Sequence, residues 1–458
     1  MESAQQLIEP ITTSVRIVVD RSSAGYRTRF ATAYAALAIL MGGDAIRYAI
    51  GWLGWGIALG ILFVAVLIQL FRADWKTTFK LVPWPLGSIL ALMLIGSIWS
   101  NYQVVSFGAA LVQLATSSFA VFLATAFDWR EILRLFAGTL RGILFSSVLF
   151  ELFAAVVVRG PIEPFFPNYE GAHPPAVAFY WTQGNLFTND RIQGIVGNSN
   201  MLAYMSMIAL VVFAIEVAAN TTTRLVSVIS FLAAIPMLVL SRSASIGFAL
   251  VSVVSAAVVS IAVEGKDRDT RHRYYRVAWG VIGSAALLVL TYRAEIFSLI
   301  GKSPDMTGRT MIWKIVLHLI DQRPLQGWGW SSYWVPWVEP YKGLVVINHV
   351  PYYQAHNAFL DVWLQLGIVG LGLFILLVGM TFVRLWRLAV RHTSPLYLWP
   401  ILVFVGIVTQ NLTESRILVE IGWVILVLFA VKVREPVEFL EPLGRTPKRA
   451  RLKRLTQR

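Results

Sequence analysis

Apolar runs of roughly 17–25 residues recur along the chain, the length at which a helix crosses the hydrocarbon core of a bilayer. No water inside a bilayer satisfies the backbone, so each such run must close its hydrogen bonds within itself. The expectation is an all-α integral membrane protein with about 12 transmembrane helices. They are read near residues 30–46, 50–71, 82–99, 103–126, 136–158, 197–219, 225–240, 246–263, 277–292, 357–381, 396–412 and 416–432, with Asp44 near the end of the first. Composition agrees: 57% of residues are apolar and 14% charged, against about 45–50% and about 25% in soluble domains. The chain has no cysteine, which excludes disulfides, thiolate metal sites and a cysteine nucleophile. Glu2 and Glu9 precede an apolar run that starts only near Phe30, a pattern unlike a cleavable signal peptide.

The net charge of +14 is strongly sided. With the N-terminus inside, the segments 1–29, 72–81, 127–135 with Arg141, 220–224, 264–276, 382–395 and the tail from Lys432 hold 28 of the 39 Lys and Arg. That bias follows the positive-inside rule and puts both termini in the cytoplasm. It also speaks for a membrane and against nucleic acid as the basic chain's partner. The tail Arg445–Arg458 reads as solvated or facing anionic lipid, with RNA the weaker alternative. The organisation expected is a cytoplasmic segment 1–29, helices 1–9 over 30–292, a large outside loop 293–356, helices 10–12 over 357–432, and a basic cytoplasmic tail 433–458. A second outside segment spans 159–196. Gly56-Ile57-Ala58-Leu59-Gly60 is a weak helix-packing signal.

The large loop is the candidate seat of chemistry. Its segment 309–323 reads as a surface helix, with Lys314, His318 and Asp321 on one narrow polar stripe and Met311, Ile312, Ile315, Val316, Leu319 and Ile320 around it. Ionisable residues gather at outer span ends: Arg191, Arg242, Arg309, His356, and Glu414 with Arg416. Each arginine admits two readings, snorkelling to lipid headgroups or, if several converge, holding a phosphorylated substrate through planar guanidinium groups. His356 is either a general base or a residue capping the span that follows, and His349 and His173 are weaker rivals. Trp328, Trp330, Trp334 and Trp337 either stack on sugar rings or form an interfacial belt. Asn198 and Asn200 either bind sugar or cap the sixth span. Asp267-Arg268-Asp269 has a metal-binding D-x-D form but sits among basic residues, where charge balance explains it. The sequons at Asn220 and Asn411 abut spans, and no zinc, P-loop or nucleophile-elbow motif is present, so neither cofactor nor metal is expected.

In order along the chain stand Arg191-Ile192-Gln193-Gly194, Gly197-Asn198-Ser199-Asn200, Ser241-Arg242-Ser243, Thr307-Gly308-Arg309-Thr310 with Trp313, Arg323-Pro324-Leu325-Gln326-Gly327-Trp328-Gly329, and His356-Asn357 with Gly367-Ile368-Val369-Gly370. This array resembles the O-antigen ligase and Wzy-type polymerase superfamily. The Thr-Gly-Arg-Thr-x-x-Trp form looks most like exopolysaccharide polymerases of the succinoglycan type. The resemblance implies a GT-C-like fold in the bacterial inner membrane and an inverting, metal-independent glycosyl transfer on its periplasmic face. The donor would be an oligosaccharide on undecaprenyl diphosphate. The acceptor would be a second glycan or lipid A–core, with membrane lipids and a chain-length regulator as further partners. By the same resemblance His356 takes the acceptor proton, while Arg191 and Arg242, helped by Arg309 and Arg416, hold the diphosphate. Asn198, Asn200, Asn357, Trp328, Trp330 and Glu414 then contact substrate. Polymerase is the leading expectation and ligase the second. A flippase for the same lipid is the third, disfavoured because the charges lie at span ends and not at the bilayer midplane.

Overall fold

The computed structural model describes residues 23–73, 75–167, 179–188, 190–267, 269–278, 280, 308–347 and 350–435. The expected span 277–292, Thr307, His173, His349 and the basic tail Arg445–Arg458 lie largely or wholly outside the described residues.

The described chain is mostly helical. In order come α1 (Ala24–Met41), α2 (Gly43–Arg72), α3 (Trp75–Leu81), α4 (Trp84–Gly96), α5 (Gln103–Ala126), α6 (Trp129–Leu152), α7 (Ser199–Ala218), α8 (Arg224–Ser241) and α9 (Ala244–Val263). There follow α10 (Arg309–Gln322), α11 (Ala358–Arg391), α12 (Trp399–Gln410) and α13 (Glu420–Lys432). Helix α6 runs on through a π-turn, Phe153–Val158. Among the described residues, seven helical stretches are long and apolar enough to cross a membrane: α2, α5, α6 with its π-turn, α7, α8, α9 and α11. Helices α4 and α12 are apolar but shorter, and α13 has 13 residues.

The last two expected spans are shortened for a visible reason. Residues 411–419 fold back into the bundle instead of making a tight turn. The Asn411 side chain accepts from the Ile417 amide at 2.8 Å, and Gln113 on α5 donates to the Leu418 carbonyl at 3.0 Å. Buried backbone must be paired, and these side chains pair it. Helix ends are written in local chemistry elsewhere too. Asp128 and Glu131 form a reciprocal capping box on α6, and Asn198 and Asn357 cap α7 and α11 through two backbone amides each.

Helices α7 and α13 form the centre and are buried along nearly their whole length, with Trp423 of α13 donating to Ser117 of α5 at 2.8 Å. The outer helices α2, α8 and α9 leave rows of large apolar side chains exposed, among them Ile57, Ile61, Ile68, Leu232, Val251 and Val258. Such a surface suits lipid. Gly56 and Gly60 meet nothing in their vicinity. The helices alternate in direction, so the ends sort into two sets. The starts of α2, α5, α7, α9, α10 and α11 and the 411–419 turn lie at one end. The ends of α2, α5, α7, α9 and α11 lie at the other.

A smaller second core caps the first end. In it, Ile312, Val316, Leu319 and Ile320 of α10 pack with Trp328, Trp334, Tyr341 and Ala355. Lys314, His318 and Asp321 are exposed, as the stripe predicted. A two-stranded antiparallel ribbon, Val346–Ile347 with Val350–Pro351, completes the cap. The cap is laced to the bundle through a break in α11. Gly367 has φ +67°, outside the helical region. There the Trp328, Gly329 and Ile368 amides bond the carbonyls of Leu364, Gln365 and Pro324 at 2.9–3.0 Å. A Cβ on Gly367 would stand 1.9 Å from the Leu325 carbonyl oxygen, and one on Gly327 would stand 2.5 Å from that of Gln365. Only glycine fits at both positions. Arg323 braces the same loop, stacking on Trp328 at 4.3 Å and donating to Asn101 at 2.9 Å.

Candidate functional site

At the capped end, three other chain segments meet on one carboxylate. Glu414, 2% exposed, sits in the infolded turn. Its Oε1 accepts from Arg309 Nη2 at 2.8 Å and Asn200 Nδ2 at 3.2 Å. Its Oε2 accepts from His356 Nδ1 at 3.0 Å and Gln354 Nε2 at 3.3 Å. The network continues from Asn200, whose Oδ1 accepts from Arg191 Nη2 at 2.7 Å and Ser243 Oγ at 3.0 Å. Arg191 Nε also donates to the Ser241 carbonyl at 2.9 Å. One continuous chain of hydrogen bonds therefore joins Arg191, Asn200, Glu414, Arg309 and His356, which are dispersed over more than 220 residues of sequence.

Burial alone would push the Glu414 carboxyl up. The charge of and hydrogen bond from His356, with the charges of Arg309 and Arg416, outweigh it and hold the group down at about 2. An ionised carboxylate only accepts, so the Nδ1 facing it carries the proton. In the neutral ring the lone pair then sits on His356 Nε2, which has no partner among the described residues. The ring is partly accessible and packs edge-on to Tyr352.

The backbone around His356 is fixed from several sides. His356 adopts φ +50°, a left-handed conformation that costs a β-carbon-bearing residue about 1–2 kcal/mol. Asp361, buried in the first turn of α11, holds it there. Its Oδ2 accepts from the Ala355 amide at 2.9 Å and from the Ser415 hydroxyl, and its Oδ1 from Trp334 at 2.9 Å. One side chain thus ties the residue before His356 to the residue after Glu414. Trp313 Nε1 donates to the Ala355 carbonyl at 3.0 Å, and the Ala358 amide reaches the carbonyls of Asn411 and Glu414. The loop of Arg191 is held in the same way. Glu151, fully buried near the end of α6, accepts from the amides of Gln193 at 3.0 Å and Gly194 at 2.6 Å, and from Thr182.

Arg416 lies two residues beyond Glu414, half-buried, and its guanidinium forms no hydrogen bond or ion pair among the described residues. Burial opposes its charge, but Tyr333, Asp44, Glu414 and Glu420 sustain it. Around it are the phenols of Tyr48, Tyr204 and Tyr333, on which its charge acts. The Tyr204 hydroxyl is buried without a partner. Arg47 closes this side in an ion triad with Asp44 and with Glu420 at 2.6 Å. Arg191 is pushed down by burial and by Arg309, which Glu414 and Asp190 counter.

The remaining expected residues fall out differently. Arg242 is exposed at the end of α8, in a left-handed conformation, in the same turn as the two serines that join the network. Asn198 and Asn357 are engaged as helix caps, with Asn357 Nδ2 donating to the Leu412 carbonyl at 3.2 Å. Trp330 is fully buried in the main core, and Trp328 is packed in the cap core with its indole on the Leu319 carbonyl at 3.0 Å. Of the four loop tryptophans only Trp337 is largely exposed, at 73%. Sequence reading missed Gln354, Asp361, Ser243, Tyr48, Tyr204 and Tyr333. Asp361 carried a signal, an acid three residues into an apolar run. The tyrosines carried none.

A bundle of membrane-length helices that gathers a histidine–carboxylate pair and several guanidinium groups at one end defines a class: a membrane protein with an imidazole, a buried carboxylate and guanidinium groups clustered at one end of its bundle. The segment 195–375, which holds Asn200, Arg242, Arg309, His356 and Asp361, matches the family model described as O-antigen ligase. That segment belongs to the O-antigen ligase and Wzy-type superfamily, which points to a membrane glycosyltransferase-like enzyme. No curated protein matches the chain.

Proposed function

We propose that the protein joins glycans by transfer from undecaprenyl diphosphate at the periplasmic face of the inner membrane, polymerising repeat units of an exopolysaccharide or O-antigen. The observation that carries this reading is the His356–Glu414 pair inside a ring of arginines. An acceptor hydroxyl loses its proton to His356 Nε2 as its oxygen attacks the anomeric carbon of the donor. The bond from that carbon to the diphosphate oxygen breaks, and the undecaprenyl diphosphate leaves with the electron pair. Glu414 keeps the imidazole in the accepting tautomer and stabilises the imidazolium that forms. It accepts four hydrogen bonds and is not free to act as a nucleophile. A single displacement inverts the anomeric configuration.

The arginines divide the work. Arg309 Nη2 is engaged by Glu414, whereas Arg416 and the Nη1 of Arg191 have no partner among the described residues. These two are the cations available to the leaving diphosphate, with Arg242 exposed in the neighbouring 241–243 turn, so guanidinium groups and not a metal ion carry the positive charge in this scheme. The buried, unpartnered Gln354 Oε1 and Arg309 Nε are further polar groups for substrate hydroxyls to satisfy. Exposed Trp337 is the loop indole with a face to offer a sugar; Trp328 instead supports the cap and Trp330 the main core.

The family description favours a second reading, a ligase that moves the finished glycan to lipid A–core. One experiment separates them. Purified protein in lipid receives undecaprenyl-diphosphate oligosaccharide, with and without lipid A–core, beside a His356→Ala variant. A ladder of lipid-linked glycans without lipid A–core, lost in the variant, is the expected result. Product only on lipid A–core makes the protein a ligase. No transfer in either condition defeats the transferase reading and returns the flippase.

A further inference from the structure

Helices α9 and α11 both start at the candidate site and both end far from it. Twenty residues of α9 span about 30 Å. At their distant ends lies a cavity of about 490 Å³, lined by Lys266 and Arg271 from the segment after α9 and by Arg387 and Arg391 from the last turns of α11. Four cations thus share one concave surface, and none of the four forms an ion pair among the described residues. The nearby acid Asp267 caps the following helical segment through the amides of Asp269 and Thr270. Arg271 adds a second observation: its Nε is buried with no hydrogen-bond partner among the described residues. Like charges held together without a counter-charge repel one another, and a buried donor without an acceptor is costly. A bound phosphodiester relieves both.

The other walls identify which phosphate. Tyr275 and Trp386 join across the cavity, the indole donating to the phenol at 3.0 Å, with Phe382 stacked beneath Trp386. Indole and phenol groups that are apolar on one side and polar on the other mark the membrane–water boundary. From this pair toward the middle of the bundle run exposed apolar side chains, Val258 and Ile261 on α9 and Phe382 and Val383 on α11. A headgroup on the cations leaves its acyl chains lying along that surface.

We infer that this basic cavity is a binding site for one anionic phospholipid, its phosphate on Arg271, Arg387, Arg391 and Lys266 and its tails along α9 and α11. The site is separate from the transfer centre and stands whatever reaction that centre performs. It seats a lipid where the two helices that carry the Ser243 and His356 turns are anchored.

The test uses the full-length protein in mild detergent, with phosphatidylglycerol, phosphatidylcholine or inorganic phosphate added and retained lipid read by native mass spectrometry. Each cation near an anionic headgroup contributes about fivefold in affinity. Arg271→Gln with Arg387→Gln is expected to weaken phosphatidylglycerol retention by about 25-fold. The control Arg130→Gln with Arg134→Gln, exposed cations at the same end of the bundle, should bind as the unaltered protein does. Phosphatidylcholine should not be retained, and inorganic phosphate should not displace the lipid. Should the double variant fail to fold, the exposed Lys266→Gln and Arg391→Gln are each expected to lose about fivefold. Unchanged retention in the variants, equal loss in the control, equal phosphatidylcholine binding or displacement by inorganic phosphate each overturns the assignment.

Discussion

Replacing Glu414 by glutamine keeps its shape and removes its charge, which makes it the sharpest probe of the centre. In the folded protein the carboxyl is held from an ordinary 4.5 down to about 2. At ~1.4 kcal/mol per pH unit, that corresponds to about 3 kcal/mol of stabilisation at neutral pH. The sign follows from proton counting. Between about 2 and 4.5 the unfolded chain binds the proton that the folded chain refuses, so this stability is fully present above pH 4.5. It is lost as pH falls through about 2. The measurement is thermal or denaturant unfolding of the detergent-solubilised protein and its Glu414→Gln variant from pH 7 to pH 3. The gap between them is expected to be about 3 kcal/mol at pH 7 and to shrink steadily below pH 4.5. A gap that is negligible at pH 7, or that does not change with pH, refutes the electrostatic account of the hub. The same variant tests the tautomer. A glutamine amide turned toward Nδ1 donates where the carboxylate accepted, forcing the proton onto Nε2. Transfer activity is then expected to fall by about 10²–10⁴-fold, the worth of a general base.

Three further outcomes follow from other contacts. Asp361→Asn turns an amide donor toward at least one of the donors it now accepts from, and should cost about 2–3 kcal/mol of stability; as a positioning residue it should lower kcat with KM little changed in a steady-state assay. Arg416→Gln removes a cation without a hydrogen-bond partner and is expected to weaken undecaprenyl-diphosphate binding about tenfold or more, measured by thermophoresis, with a matched loss in kcat/KM. Gly367→Ala forces a Cβ to within 1.9 Å of the Leu325 carbonyl, so the loss in unfolding free energy should exceed the ~1–2 kcal/mol of left-handed strain alone.

The apolar runs were enough to read an all-helical membrane protein, because lipid leaves the backbone no other way to satisfy itself. Span number was harder to read. Ile417, Leu418 and Val419 look like α-helix in a hydropathy profile, yet Ile417 and Leu418 lie in a short 3-10 turn and Val419 is extended, held by Asn411 and Gln113. Gln113 is 305 residues from Leu418 and invisible in a local window. The site was legible in part for the same reason. Arg191, Arg309, His356 and Glu414 stood out as charges at the ends of apolar runs. That Glu414 gathers the others depends on Asn200, 214 residues away, and on Arg309, 105 away. Trp328 and Trp330 misled because a loop has no periodicity from which burial can be read. Asn198 caps α7, one of the two readings its position offered, whereas Asn357, expected only as a substrate contact, caps α11.

The seam between the 324–329 loop and the break at Gly367 bears on how proteins of this architecture exchange parts. Neither strip of backbone is complete without the other, since each supplies the hydrogen-bonding groups the other lacks. A graft of the cap onto a bundle whose corresponding helix is unbroken would strand three amide–carbonyl pairs, each at several kcal/mol where water is scarce. The cap and the first turns of α11 therefore form a single heritable unit. On the proposed transferase reading, a change of acceptor preference has to proceed through the exposed tips of the cap, or by replacing cap and helix together.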